Sequence, residues 1–304
     1  MKNFKLLLFS LFCFALALSG AEQVKELKVL TIGNSFANSI FRSLPAIVEA
    51  DPSCKLTLVS ANLGGCSLER HWKEHLKSEK NSEHKPYSKH SLRDRLIQEK
   101  WDIVTIQQVS HKSWQPETYQ PYAENIIALV KQLAPTAEIV IQQTWSYNAG
   151  DSRLSPEKWK MNQQEMYDKL TYSYLALAKK YNCRVIPSGM AVQLYREAMG
   201  TKLIAINPLA LAAMKEPEVP DNNDVVGNFF WRNNKKTGKS SLVADWIHMN
   251  DSGKYLQGLV WYGFLFGKDP NEAKYAPKGM NAEKVTLLKK CAAEAIVQFP
   301  QMKK

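Results

Sequence analysis

Five short apolar runs, most of them rich in β-branched residues, recur along the chain, separated by stretches of helical period. They are residues 28–32 (KVLTI), 56–61 (LTLVSA), 102–107 (DIVTIQ), 138–142 (EIVIQ) and 184–186 (RVI). Nearly unbroken apolar runs of this length suit parallel strands covered on both faces. Between them, Tyr122, Ile126, Leu129, Val130 and Leu133 fall on one helical stripe that Pro135 stops. Met166, Leu170, Leu177 and Tyr181 form a second stripe. Ser155-Pro156-Glu157 reads as its start, with Ser155 as cap and Pro156 in the first turn. This β–α alternation predicts a doubly wound α/β/α sandwich with a mainly parallel five-stranded sheet and right-handed crossovers.

Composition narrows the class further. The 304 residues are 45% hydrophobic and 23% charged, which excludes a disordered chain or a multi-span membrane protein. No internal repeat or Pro- or Gly/Ser-rich linker divides the chain, so residues 22–304 read as a single domain. The formal charge is +11, but the Lys and Arg are scattered. There is neither zinc-finger spacing nor a basic stretch with interleaved aromatics, so nucleic acid is not an expected partner.

Residues 1–21 have the three parts of a secretory signal peptide. Lys2 and Lys5 open it, Leu6 to Leu18 form an apolar run of 13 residues, and Ser19-Gly20-Ala21 offers a cleavage site after Ala21. The expected destination is secreted or periplasmic, without stable membrane insertion of the mature chain; an uncleaved anchor is the rival reading. Cys54, Cys66, Cys183 and Cys291 would remain. An even number permits two bridges in any of three pairings, and buried free thiols are the alternative.

In open α/β sheets, ligands bind beyond the carboxyl ends of the strands, so the residues that follow each strand matter most. After the first come Gly33-Asn34-Ser35-Phe36, and after the second Asn62-Leu63-Gly64-Gly65-Cys66-Ser67. After the third come Gln107-Gln108-Val109-Ser110. Near the C-terminus stands Asp245-Trp246-Ile247-His248, just before the helix-start signal Asn250-Asp251-Ser252-Gly253. A carboxylate and an imidazole three residues apart can pair. One ring nitrogen is then oriented and the other turned outward, as a hydroxyl nucleophile needs from its base.

These four blocks, in this order, resemble the SGNH (GDSL-like) hydrolase superfamily. The resemblance spans about residues 28–266, and signatures at residues 33–36, 64–71, 106–110 and 142–145 are similar to a distinct branch of it. It implies metal-free ester hydrolysis without a cofactor, with Ser35 as nucleophile, His248 as base and Asp245 as its partner. It also implies an oxyanion hole built from the N–H groups of Ser35 and Gly65. The superfamily's third-strand G-x-N-D is absent, so Gln108, which lies further beyond the strand end than Gln107, is the expected third donor. Asn34 is expected to shape the turn.

The other features are read around this core. Trp145, just past the fourth strand, is the expected sugar-stacking residue, and His71, near the oxyanion turn, the expected rim contact. His71-Trp72-Lys73-Glu74-His75 also fits H-x-x-E-H, a zinc-hydrolase alternative. Residues 207–241, with Phe229, Phe230 and Trp231, read as an irregular lid or substrate wall. The resulting expectation is an exported esterase acting on small acyl, notably acetyl, esters of carbohydrate. A non-catalytic glycan-binding protein and an acyltransferase on the same fold are the alternatives.

Overall fold

A computed structural model describes residues 24–301; the leader reading and the site after Ala21 lie outside the described residues. Five parallel strands form one sheet: β1 (Lys25–Gly33), β2 (Cys54–Asn62), β3 (Ile103–Ile106), β4 (Glu138–Gln142) and β5 (Arg184–Ile186). Their order is β2-β1-β3-β4-β5. All five expected runs are strands, and the fourth and fifth have the expected bounds. The order reverses direction at β1, so β1 and β3 flank the topological switch point.

The connecting helices are α1 (Ser35–Asn38), α2 (Ile40–Glu49), α3 (Leu68–Lys80), α4 (Leu92–Ile97), α5 (Tyr122–Leu133), α6 (Gln163–Tyr181), α7 (Ser188–Met199), α8 (Pro208–Leu211), α9 (Asp251–Phe266) and α10 (Ala282–Gln298). Helices α2, α7, α9 and α10 pack on one another, as do α3, α4 and α5. Right-handed crossovers put these two groups on opposite faces of the sheet. The central strands are sealed: all four residues of β3 are buried, and so are the last five of β1.

Two expectations need correction. Helix α6 starts at Asn162, not at Ser155, because Asn162 and Glu165 form the reciprocal capping box there. The segment 207–241 is not wholly irregular. Val226–Asn233 is strand β6, antiparallel to β7 (Ser240–Met249), and Phe229, Phe230 and Trp231 lie on it. Its Asn and Gly residues form the hairpin turn, which conceals strands whose apolar runs are short. The four cysteines are free and buried. No helix of the described residues is long and apolar enough to cross a membrane.

Candidate active site

Ser35 leaves the carboxyl end of β1 as the first residue of α1. Asn34 is extended, and its Oδ1 accepts from Phe36 N–H at 3.0 Å, capping the turn. Phe36 and Ala37 are buried, which pins α1 to the core and leaves the Ser35 side chain half-buried at the sheet edge.

Asp245 and His248 lie on β7, 210 and more residues later in sequence, and the hairpin carries them to the same edge. Asp245 Oδ1 accepts from the backbone N–H groups of Ile247 (3.0 Å) and His248 (3.1 Å). His248 Nδ1–H donates to Asp245 Oδ2 at 2.8 Å, and Ser35 Oγ–H donates to His248 Nε2, also at 2.8 Å. The roles follow from the ends of the chain. A carboxylate only accepts, so Nδ1 carries the proton and Nε2 is free to accept. Burial pushes the Asp245 carboxyl up, but the hydrogen bonds from His248 and Ile247 outweigh it, and the group stays below its usual range. The side chains of Asp245 and His248 are 26% and 33% exposed, so the line faces a cleft rather than the core.

Trp145 is not a stacking platform: it is fully buried. Its ring stacks on Phe36 at 4.1 Å and 5°, and its Nε1–H donates to Ile247 O at 2.9 Å. Phe36 in turn meets His248 edge-on at 5.4 Å. Trp145 therefore couples the Ser35 turn to the Asp245–His248 strand. Sequence reasoning missed this role of Phe36 and Trp145. The available signal was a large aromatic directly after each of two strand ends.

His71 is likewise fully buried and not at the rim. Its Nε2–H donates to Gly33 O at 2.8 Å, and Tyr87 O–H donates to its Nδ1 at 2.8 Å. With both nitrogens used, it buttresses the carbonyl immediately before the Ser35 turn. Burial pushes this imidazole down to about 4, so it is neutral. The H-x-x-E-H reading therefore loses its first ligand. Glu74 hydrogen-bonds His84 at 2.5 Å instead of facing a shared site.

Gly65 has φ +59 and open space where a side chain would stand, a conformation that favours glycine, so its peptide can turn toward the cleft. Gln108 cannot serve as the third donor. Its side chain is fully buried, Oε1 accepts from Leu68 N–H (3.1 Å) and Val109 N–H (2.9 Å), and Nε2–H donates to Thr118 O and Oγ1. The residue nearer the strand end points to the site instead. Gln107 Nε2–H donates to Asn34 Oδ1 at 2.8 Å, and Asn34 Nδ2–H donates to Cys66 O at 3.1 Å. Adjacent residues on an extended strand face opposite ways, and here both side chains are buried, Gln107 toward Asn34 behind the Ser35 turn and Gln108 toward Leu68 and Thr118.

The family described as a domain of unknown function, DUF4886, matches residues 28–203, more than half of the chain. The chain belongs to the DUF4886 family. Among solved structures, a DUF4886 family protein from Bacteroides uniformis is similar to it over 90% of this chain and 96% of its own, at 21% identity and a TM-score of 0.68. A candidate SGNH hydrolase from Slackia heliotrinireducens is 18% identical over 79% of this chain and 100% of its own, with a TM-score of 0.49. An acetyl xylan esterase from Geobacillus stearothermophilus is 12% identical over 84% and 100%, with a TM-score of 0.45. No curated protein matches the chain in sequence. The DUF4886 match ends before the hairpin that carries Asp245 and His248. The architecture of this DUF4886 protein is the one the SGNH resemblance implies.

Proposed function

We propose that this DUF4886 protein is a serine esterase of the SGNH type. The observation that carries the reading is the position of His248, 2.8 Å from both Ser35 Oγ and Asp245 Oδ2. Three residue types that meet in this way are suited to acyl transfer.

In this reading Ser35 Oγ attacks the ester carbonyl and its proton passes to His248 Nε2. Asp245 keeps Nδ1–H in place and stabilises the imidazolium. The oxyanion is met by the backbone N–H groups of Ser35 and Gly65. His248 then gives the proton to the leaving alcohol, and the acyl group stays on Ser35. Water, deprotonated by His248, releases the acid and restores the hydroxyl. Backbone donors aimed at the developing charge are the larger part of such catalysis.

The substrate we propose is a small acyl ester, notably acetyl, on a carbohydrate outside the cytoplasm. The three-part leader at residues 1–21 supports export. Half-buried Trp114, Trp159 and Trp246 support a sugar-facing cleft, since flat amphipathic rings suit sugar faces. The test is hydrolysis of p-nitrophenyl acetate and of acetylated polysaccharides by the wild-type and Ser35→Ala proteins, with the released acid identified. Absence of Ser35-dependent acid release from both substrates sinks the reading.

A further inference from the structure

The segment after β4 reaches the same sheet edge and holds an arginine in an unusual way. Asp151 is buried, and its carboxylate accepts from Arg153 backbone N–H at 2.8 Å and from Arg153 Nε–H at 2.8 Å. An Nη2–H of Arg153 bonds the other carboxylate oxygen. The guanidinium lies 4.5 Å over the Tyr147 ring and 5.7 Å from that of Trp159. Carboxylate on one side and rings on another fix its plane. The Nε/Nη2 edge is thereby used. The end-on edge, Nη1 with the second Nη2 hydrogen, makes no hydrogen bond among the described residues, and the side chain is 39% exposed.

This edge belongs to the neighbourhood of the candidate active site. Asn148 N–H donates to Trp246 O at 2.9 Å, so the segment is docked on the strand that bears Asp245 and His248. Arg153 feels the charge of Asp245 as well as that of Asp151. On its other flank, Tyr147 O–H shares a 2.8 Å hydrogen bond with Ser110 Oγ, and the next residue is solvent-exposed His111. Although the residue as a whole is exposed, neighbouring atoms shield part of its ring from water, and this, followed by the charges of Lys112 and Arg153, pushes that imidazole down. Half-buried Trp114 stands 5.5 Å from Trp159.

We propose that the end-on edge of Arg153 binds the carboxylate of an acidic sugar whose acyl ester is presented to Ser35, a proposal that rests on the serine-esterase reading above. Two parallel N–H groups in one plane match the two oxygens of a carboxylate. Asp151 already offsets one unit of charge, so a singly charged carboxylate suits the site better than a phosphate. The tryptophans supply a surface for the sugar ring, and the formal charge of +11, only two units of which lie on the leader (Lys2 and Lys5), attracts acidic polymers at long range.

Binding of methyl glucuronide and methyl glucoside to the Ser35→Ala protein, measured by calorimetry, tests this without turnover. The glucuronide is expected to bind about tenfold more tightly. Arg153→Gln is expected to bring the two sugars level, and Arg153→Lys to restore part of the preference, since an ammonium keeps the charge but lacks the planar edge. Equal binding of the two sugars to the Ser35→Ala protein overturns the proposal whatever the Arg153 variants do. So does a preference that survives Arg153→Gln. Hydrolysis of p-nitrophenyl acetate by the wild-type protein is read separately. Its absence, together with absence of acid release from acetylated polysaccharides and beside a glucuronide preference lost in Arg153→Gln, sinks the esterase reading and keeps the carboxylate subsite.

Discussion

The Gln107 side chain donates to Asn34 Oδ1 at 2.8 Å, and Asn34 donates onward to Cys66 O at 3.1 Å. These two bonds tie the carboxyl ends of β3, β1 and β2 together around Ser35. Asn34 thus holds the turn that carries the hydroxyl and the turn that carries Gly65 in one register. We expect Gln107→Ala to lower kcat by roughly 10–10²-fold with little change in KM, because loosened donors matter most in the transition state. Gln108→Ala is expected to act on folding instead. It orphans the buried N–H groups of Leu68 and Val109, at a cost of about 1–3 kcal/mol. Steady-state kinetics and chemical denaturation of both variants check the pair; a low kcat for folded Gln108→Ala would reverse the assignment.

Ser35→Ala removes the attacking oxygen but leaves the packing of Phe36 and Ala37 untouched. Esterase activity is expected to fall by about 10⁴-fold or more while the melting temperature stays close to wild type. The paired activity and melting measurements check it.

Asp245→Asn keeps the shape of the side chain but offers an N–H₂ group where a carboxylate holds His248. The imidazole then loses its orienting acceptor, and kcat is expected to fall by ~10⁴-fold. An activity close to wild type would remove Asp245 from the mechanism.

Gly150→Ala tests the docking of the loop after β4 on β7. A Cβ there would stand 2.3 Å from Trp246 Cζ3, so the indole must move, and it sits between Asp245 and His248 in sequence. The expected cost is about 1–3 kcal/mol of stability, with a loss of kcat as the strand shifts. Denaturation and kinetics on one preparation measure both effects, and an unchanged kcat would uncouple Trp246 from the site.

His71 makes stability pH-dependent. Its folded-state value of about 4 lies below the roughly 6.5 of an unfolded histidine. Between those values the unfolded chain holds a proton that the native chain does not. Stability is therefore fully present above about pH 6.5, falls as pH drops toward 4, and loses up to about 3 kcal/mol from this residue. Denaturation of wild type and His71→Gln across that window checks it. The variant, already less stable at neutral pH, should show the shallower decline.

Much of the architecture was legible because the β-strand signal is local. The runs at 138–142 and 184–186 coincide with β4 and β5, since the central strands of a doubly wound sheet are buried on both faces and must be apolar throughout. The hairpin was illegible for the converse reason. β7 is partly exposed along most of its length, and Asn-rich β6 resembles a loop. Helix α6 was misplaced because two capping signals seven residues apart compete, and the one completed by a reciprocal partner, Asn162 with Glu165, prevails.

The expectation that Ser35, Asp245 and His248 act as one group came from the amino-acid sequence through its resemblance to the SGNH superfamily. The parallel sheet that presents Ser35 came from the sequence as well; the antiparallel hairpin that presents the other two did not. Residue type, order and position after strands are one-dimensional properties. Which neighbours touch the cleft was decided only in three dimensions. Trp145, His71 and Gln108 all stand at the expected places in sequence, yet each is buried, with its polar atoms held by backbone groups or by the hydroxyls of Tyr87 and Thr118. Burial and hydrogen-bond direction depend on which side of a strand end the tertiary packing closes. A shift of one residue reverses the side, so buried Gln107 braces Asn34 beneath the Ser35 turn while Gln108 braces Leu68 and Val109.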